Sequence, residues 1–145
     1  MTETTGNPGT VVLAAANGFL GRSLAKALKA QGYRVVGLVR HGREADAPGC
    51  DALRVWDGRT LGDWAQALDG AAAVVNLAGR TVDCIKTPEN RRQILESRVD
   101  SVRVIGQACR AVPTPPPVWL QAGTAHIIGD PIPEDTLCDD DTPPP

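Results

Sequence analysis

Apolar residues recur along this chain in two rhythms that alternate. TVVLAA (10–15) is a short apolar run bounded by a glycine, the pattern of a buried strand. It leads into NGFLGRSLAKALKAQG, where Leu20, Leu24 and Leu28 fall at helical spacing, Arg22, Lys26 and Lys29 turn elsewhere, and Gly32 offers a stop. YRVVGLV (33–39), ALRVWD (52–57), AAAVVNLAG (71–79) and VWLQAG (118–123) read as four further strands. Before the fourth, Thr60 is placed to cap a short helix, LGDWAQALD, whose Leu61, Trp64, Ala65 and Leu68 share a face and which Gly70 closes. Before the fifth, Thr87-Pro88-Glu89 spells a cap, an N1 proline and a first-turn acid. The long helix behind them carries Ile94, Leu95, Val99, Val102, Ile105 and Cys109 along one stripe, and PTPPP (113–117) breaks it.

Strands separated by connections too long for hairpins predict a parallel sheet with right-handed crossovers, the doubly wound, Rossmann-like α/β class with about five strands. Residues 10–130 form that domain, preceded by a flexible polar leader over 1–9 and followed by an acidic, proline-rich tail over 131–145. The leader has no apolar run, so it reads as neither a signal peptide nor a membrane span.

Composition narrows the picture. With 42% hydrophobic but only 3% aromatic residues, the core must be built from Ala, Val, Leu and Ile, which suits a parallel sheet covered on both faces. A net charge of -2 gives no basic field, and no basic stripe or stacking aromatics point to nucleic acid. Cys50, Cys84, Cys109 and Cys138 form no CxxC pair, which excludes the usual metal-ligand spacing and suits reduced thiols in a cytoplasmic protein. The Asp139–Asp141 run with His126 lacks the glycine and glutamate positions of a calcium loop, so no metal is expected.

The candidate chemistry lies in the first turn, Ala15-x-x-Gly18-x-x-Gly21. In a strand–turn–helix phosphate site one glycine permits the tight turn, a second lets the backbone approach the pyrophosphate, and a third lets helix and strand pack closely. The helix start then offers free N–H groups and a positive dipole end. Gly18 and Gly21 stand in the second and third roles, and Ala15 replaces the first. Its methyl costs little at negative φ and roughly 1 kcal/mol or more at positive φ. The turn, with Ala15, Asn17, Gly18, Phe19, Leu20 and Gly21, is the candidate cofactor loop. After the second strand comes VRHGRE, in which Arg40 leads, followed by His41 and Arg43, with no acid before Glu44. A guanidinium there suits a ribose 2′-phosphate, so NADP(H) is expected, with NAD(H) second.

Four blocks, VVLAAANGFLGRSLAKAL, WDGRTLGDWAQALDGAAAVVNLAGR, SRVDSVRVIGQACRA and AGTAHIIGD, together resemble the extended, epimerase-like short-chain dehydrogenases/reductases, in particular an atypical branch carrying NLAG and SRV. The resemblance spans about 10–142 and implies the following roles. Asp57 matches the acid that contacts adenine. Asn76, Ala78 and Gly79 match an N-x-A-G turn near the nicotinamide-side ribose, and Thr124 matches the hydroxyl that orients the substrate oxygen. Ile128 stands where relatives often have Tyr, and Gly123 where they often have a hydroxyl residue. The Tyr-x-x-x-Lys pair of the wider superfamily would lie beyond residue 145, and the one tyrosine, Tyr33, expected buried at a strand start, does not supply it. The implied protein is the cofactor-binding portion of an oxidoreductase for a small or sugar-like carbonyl or hydroxyl substrate, lacking the C-terminal substrate part and inactive alone at this length. The alternative is a non-catalytic nucleotide-binding or interaction module. Its exposed sheet edge after the fifth strand would be covered by another chain, such as a second copy.

Overall fold

The protein was analysed as a computed structural model that describes residues 8–124. Five strands, β1 (Thr10–Ala14), β2 (Arg34–Val39), β3 (Ala52–Val55), β4 (Ala73–Asn76) and β5 (Val118–Gln121), form one sheet in the order β3-β2-β1-β4-β5. Every pair is parallel, with Val12 aligned to Val36 on one side and to Val74 on the other. Helices α1 (Phe19–Ala30) and α2 (Pro88–Ala111) cross between strands. The doubly wound class is therefore as the strand pattern predicts.

Alternation along the strands builds two cores. Val11, Leu13, Val35, Val39 and Val75 pack with Ala16 and Ala25 on the α1 side. Val12, Ala14, Val36, Leu38 and Val74 face Val104, Ile105 and Ala108 of α2, together with Trp64, Ala65 and Leu68. The central strands β1, β2 and β4 are thus buried on both faces, which is why they read as continuous apolar runs, while the edge strands β3 and β5 are partly or wholly exposed.

Local end signals hold. Gly32 sits at φ +86°, and the amides of Gly32 and Tyr33 reach the carbonyls of Lys29 and Leu28, a Schellman closure. Thr87 Oγ1 accepts the Asn90 amide at 3.1 Å ahead of Pro88. Tyr33 is half-buried just before β2, not fully buried.

Several expectations shift. Thr60 does not cap the short helix, which is a 3-10 segment, Asp63–Leu68, starting at Gly62 without a side-chain cap. The Thr60 hydroxyl instead donates to Asp57, and its carbonyl accepts the Trp64 indole. Leu61, assigned to the inward face, is exposed. In α1 the buried positions are Gly21 and Ala25, while Leu20 points outward.

The largest change is in α2, which buries Ser101, Val104, Ile105 and Ala108 and leaves Leu95, Val99 and Val102 exposed. Ser101 hydrogen-bonds Asn76, the last residue of β4. The residues before it, Pro88 to Asp100, therefore rise about 20 Å at 1.5 Å per residue beyond the carboxyl edge of the sheet. Among the described residues no strand lies under Leu95 or Val99 there. Among the described residues no helix is long and apolar enough to cross a membrane.

Candidate functional site

Because all five strands are parallel, every segment that follows a strand starts from the same edge of the sheet. The glycine turn follows β1, Arg40 follows β2, Asp57 lies just past β3, the Asn76–Arg80 segment leaves β4, and Thr124 lies past β5. The chain winds from β1 to β3 in one direction, then resumes at β4 on the other side of β1. Connections on either side of that switch point leave in opposite directions and open a crevice, the usual ligand position of this architecture.

At the turn after β1, Ala15 has φ +61° and is the one non-glycine residue at positive φ among those described. Of the two cases the sequence leaves open, the strained one holds. The conformation is held by bonds from the Ala15 amide to Leu38 O (3.1 Å) and from the Gly18 amide to Ala15 O (3.0 Å). Gly18 is extended (φ −74°, ψ 171°), so its backbone needs no glycine. Space does, because an added Cβ would lie 3.3 Å from Ala15 O. Gly21 is stricter: a Cβ would collide with Ala15 O and lie 2.9 Å from the Ala16 backbone. Helix α1 thus rests directly on the turn.

No side chain caps α1, and its first turn has no acid. The leading amides of a helix lack intrahelical acceptors and carry the positive dipole end. Phe19 and Leu20 flank this start, 81% and 61% exposed, with Asn17 half-buried below them. Among the described residues, no side chain plugs the mouth of the helix.

The arginines after β2 differ. Arg43 pairs with Asp46 at 3.2 Å, and His41 lies 3.9 Å from Glu44. Arg40 has no acidic partner among the described residues. Asp57 is exposed but occupied: Oδ1 accepts the amides of Arg59 and Thr60, and Oδ2 accepts the Thr60 hydroxyl. Partial burial pushes its carboxyl up, but these hydrogen bonds outweigh that and hold it below the usual range. Its first task is to fold the turn that carries Gly58.

Asn76 is fully buried with its amide committed on every side. Nδ2 donates to Ser101 Oγ at 3.1 Å and to Gln121 Oε1 at 3.0 Å, while Oδ1 accepts the Ala78 amide at 3.0 Å. It ties β4, α2 and β5 together and shapes the backbone of Ala78. Beyond it, the Arg80 amide donates to Ser97 Oγ, and Arg98 Nη1 donates to Arg80 O. Thr124 is exposed past β5; His126, Ile128, Gly129 and the acidic tail lie outside the described residues.

Ser97, Arg98, Ser101 and Gln121 are the residues that sequence reading passed over. For the first three the signal is the polar cluster SRVDS (97–101), inside the block that carries the family resemblance, whereas Gln121 lies in the fifth strand, VWLQAG.

The family model for the NAD dependent epimerase/dehydratase family matches residues 11–145. No curated protein matches the chain. Among solved structures, the human epimerase family protein SDR39U1 (isoform 2), determined with NADPH, is similar at 24% identity and TM-score 0.66, covering 81% of this chain and 37% of its own. An epimerase candidate from Burkholderia cenocepacia is similar at 26% identity and TM-score 0.70, covering 97% and 45%. UDP-glucuronic acid 4-epimerase from Bacillus cereus, determined with NAD, has the same fold at 17% identity and TM-score 0.71, covering 93% and 45%. The chain spans less than half the length of each. The parallel sheet, the unplugged helix mouth at the switch point and the family match agree: the chain belongs to the NAD dependent epimerase/dehydratase family.

Proposed function

We propose that this chain is the NADP(H)-binding portion of an epimerase-like short-chain oxidoreductase that acts on a small or sugar-like carbonyl or hydroxyl substrate. The observation that carries it is the uncapped start of α1 beside β1, with Gly18 and Gly21 bare where a side chain would meet the turn. The residues fit a dinucleotide. The amides of Phe19, Leu20 and Gly21 receive the diphosphate, with Ala15, Asn17 and Gly18 framing the turn. Arg40 receives the 2′-phosphate, and the Asp57–Gly58 turn receives adenine. Ala78 and Gly79, shaped by Asn76, lie along the nicotinamide-side ribose.

When bound, the cofactor supplies hydride transfer. The chain's own contribution is placement: Thr124, at the same sheet edge, orients the substrate oxygen. NADPH in the human neighbour and NAD in the Bacillus enzyme support a nicotinamide dinucleotide, and the acid-free Arg40 favours the phosphorylated form, with NAD(H) second.

Following nicotinamide fluorescence while NADPH is added to the purified chain tests this reading. Saturable binding is expected, and Arg40→Ala should weaken NADPH by roughly tenfold, about the loss of one charge-assisted hydrogen bond, with little effect on NADH. No binding at millimolar NADPH would refute the proposal, and equal losses for both cofactors would refute the role of Arg40.

A second reading, a non-catalytic nucleotide-binding or interaction module, is favoured by the exposure of Val118, Trp119 and Leu120 along β5. A second copy of the chain seated on that edge would cover them. Turnover of a carbonyl substrate by the chain would exclude this module.

A further inference from the structure

Helix α2 sorts its charges. All of its acids, Glu89, Glu96 and Asp100, are engaged by arginines: Arg92 bridges Glu89 and Glu96, Arg59 reaches Glu96 and Asp100, and Arg103 holds Asp100. Arg98 stands apart. Its Nη1 donates to two neutral acceptors, Arg80 O at 3.2 Å and Ile94 O at 3.0 Å, and it has no carboxylate partner among the described residues.

Its plane is fixed as well. A Cβ built on Gly79 would lie 3.1 Å from Arg98 Cζ, 3.3 Å from Nη2 and 3.4 Å from Nε. The central carbon being nearest places Gly79 against the face of the guanidinium, not its rim. With Nη1 spent on carbonyls and the face on Gly79, the Nε–Nη2 edge keeps its N–H groups without an acceptor among the described residues. Two parallel N–H groups at that spacing match an oxyanion. Arg98 lies one turn before Ser101, so it stands just above the carboxyl edge of β4, where ligands of this architecture bind.

From this geometry we infer that Arg98 is an anion-binding residue whose Nε–Nη2 edge takes a phosphate or carboxylate group of the substrate, so that the substrate is acidic. This rests on the cofactor reading above for its placement, since the cofactor would occupy the neighbouring glycine turn. The shared chemistry, an oxyanion, has two sources here: the substrate or the cofactor's own phosphates.

The test follows the Arg98 Nε–Hε signal of the nitrogen-15-labelled chain, assigned by its loss in Arg98→Lys, as inorganic phosphate is added at constant ionic strength. A saturable shift is expected, and phosphate affinity read from the Gly79 and Arg80 amide signals should be roughly tenfold weaker in Arg98→Lys, which keeps the charge and loses the paired N–H edge. Arg110→Lys, at the far end of α2, should leave it unchanged. Gly79→Ala keeps Arg98 but crowds its face, so phosphate affinity should fall there too; this covers the case in which Arg98→Lys unfolds the chain. A shift that persists with NADPH saturating supports the substrate as source. A signal moved by NADPH itself, with phosphate then excluded, overturns that assignment in favour of the cofactor. Absence of any saturable shift overturns the site. Failure of NADPH to bind while the phosphate shift remains would refute the cofactor reading alone.

Discussion

Replacing Ala15 by glycine should make the protein more stable, the reverse of what glycine usually does. Ala15 is held at φ +61°, where an L side chain costs about 1–2 kcal/mol through its Cβ. Glycine removes that cost but adds about 0.4–1 kcal/mol of chain entropy to be lost on folding. Both backbone hydrogen bonds of the residue survive the change, since they use its amide and carbonyl. The expected net gain is about 0.5–1 kcal/mol, or a rise in Tm of about 1–4 °C for a domain of this size. Urea unfolding followed by tryptophan emission would read it as a higher midpoint at unchanged slope. Ala27→Gly is the control, because Ala27 is exposed inside α1 and should lose about 1 kcal/mol. If both variants lose stability alike, the turn is not left-handed and this account of the glycine loop is wrong.

Further outcomes follow from the same geometry. Asn76→Ala removes three hydrogen bonds and strands the Ala78 amide and Gln121 Oε1, so stability should fall by about 2–4 kcal/mol in chemical denaturation. Ser101→Ala, which costs one partner of that network, should lose about 1 kcal/mol. Asp51 accepts the Val35 amide at 2.8 Å and pairs with Lys29 at 3.0 Å, and these hold its carboxyl below the usual range. A depressed folded-state value means that its stabilisation is complete above the unfolded pKa of about 3.9 and is lost as pH falls through the folded one. Thermal melts from pH 5 to pH 2 should therefore fall less steeply for Asp51→Asn than for the parent; parallel curves would remove Asp51 from the acid response.

Signals carried by neighbours in sequence were legible, and those set by distant elements were not. Gly32 and the Thr87-Pro88 start act within one helical turn, so their residues announce them. Leu95 and Val99 look like core because the helical period says nothing of where the sheet ends. The inward face of α2 is instead set by Ser101 meeting Asn76, a pair 25 residues apart. Thr60 and Asp57 show the same limit on a smaller scale: Thr60 reads as a helix cap, yet the Asp57 carboxylate takes its hydroxyl first. The five strands and the glycine turn could be placed from pattern alone. The sign of φ at Ala15 could not, because it depends on Leu38 accepting the Ala15 amide from β2.

The central claim is that the first amides of α1 hold a dinucleotide's diphosphate. Amide spectra of the nitrogen-15-labelled chain, recorded with increasing NADPH, test it most directly. The account predicts that Phe19, Leu20 and Gly21 shift together and saturate, while Gly32 and Gly70, outside the crevice, stay in place. Saturable binding that moves other residues and leaves those three amides still would contradict it.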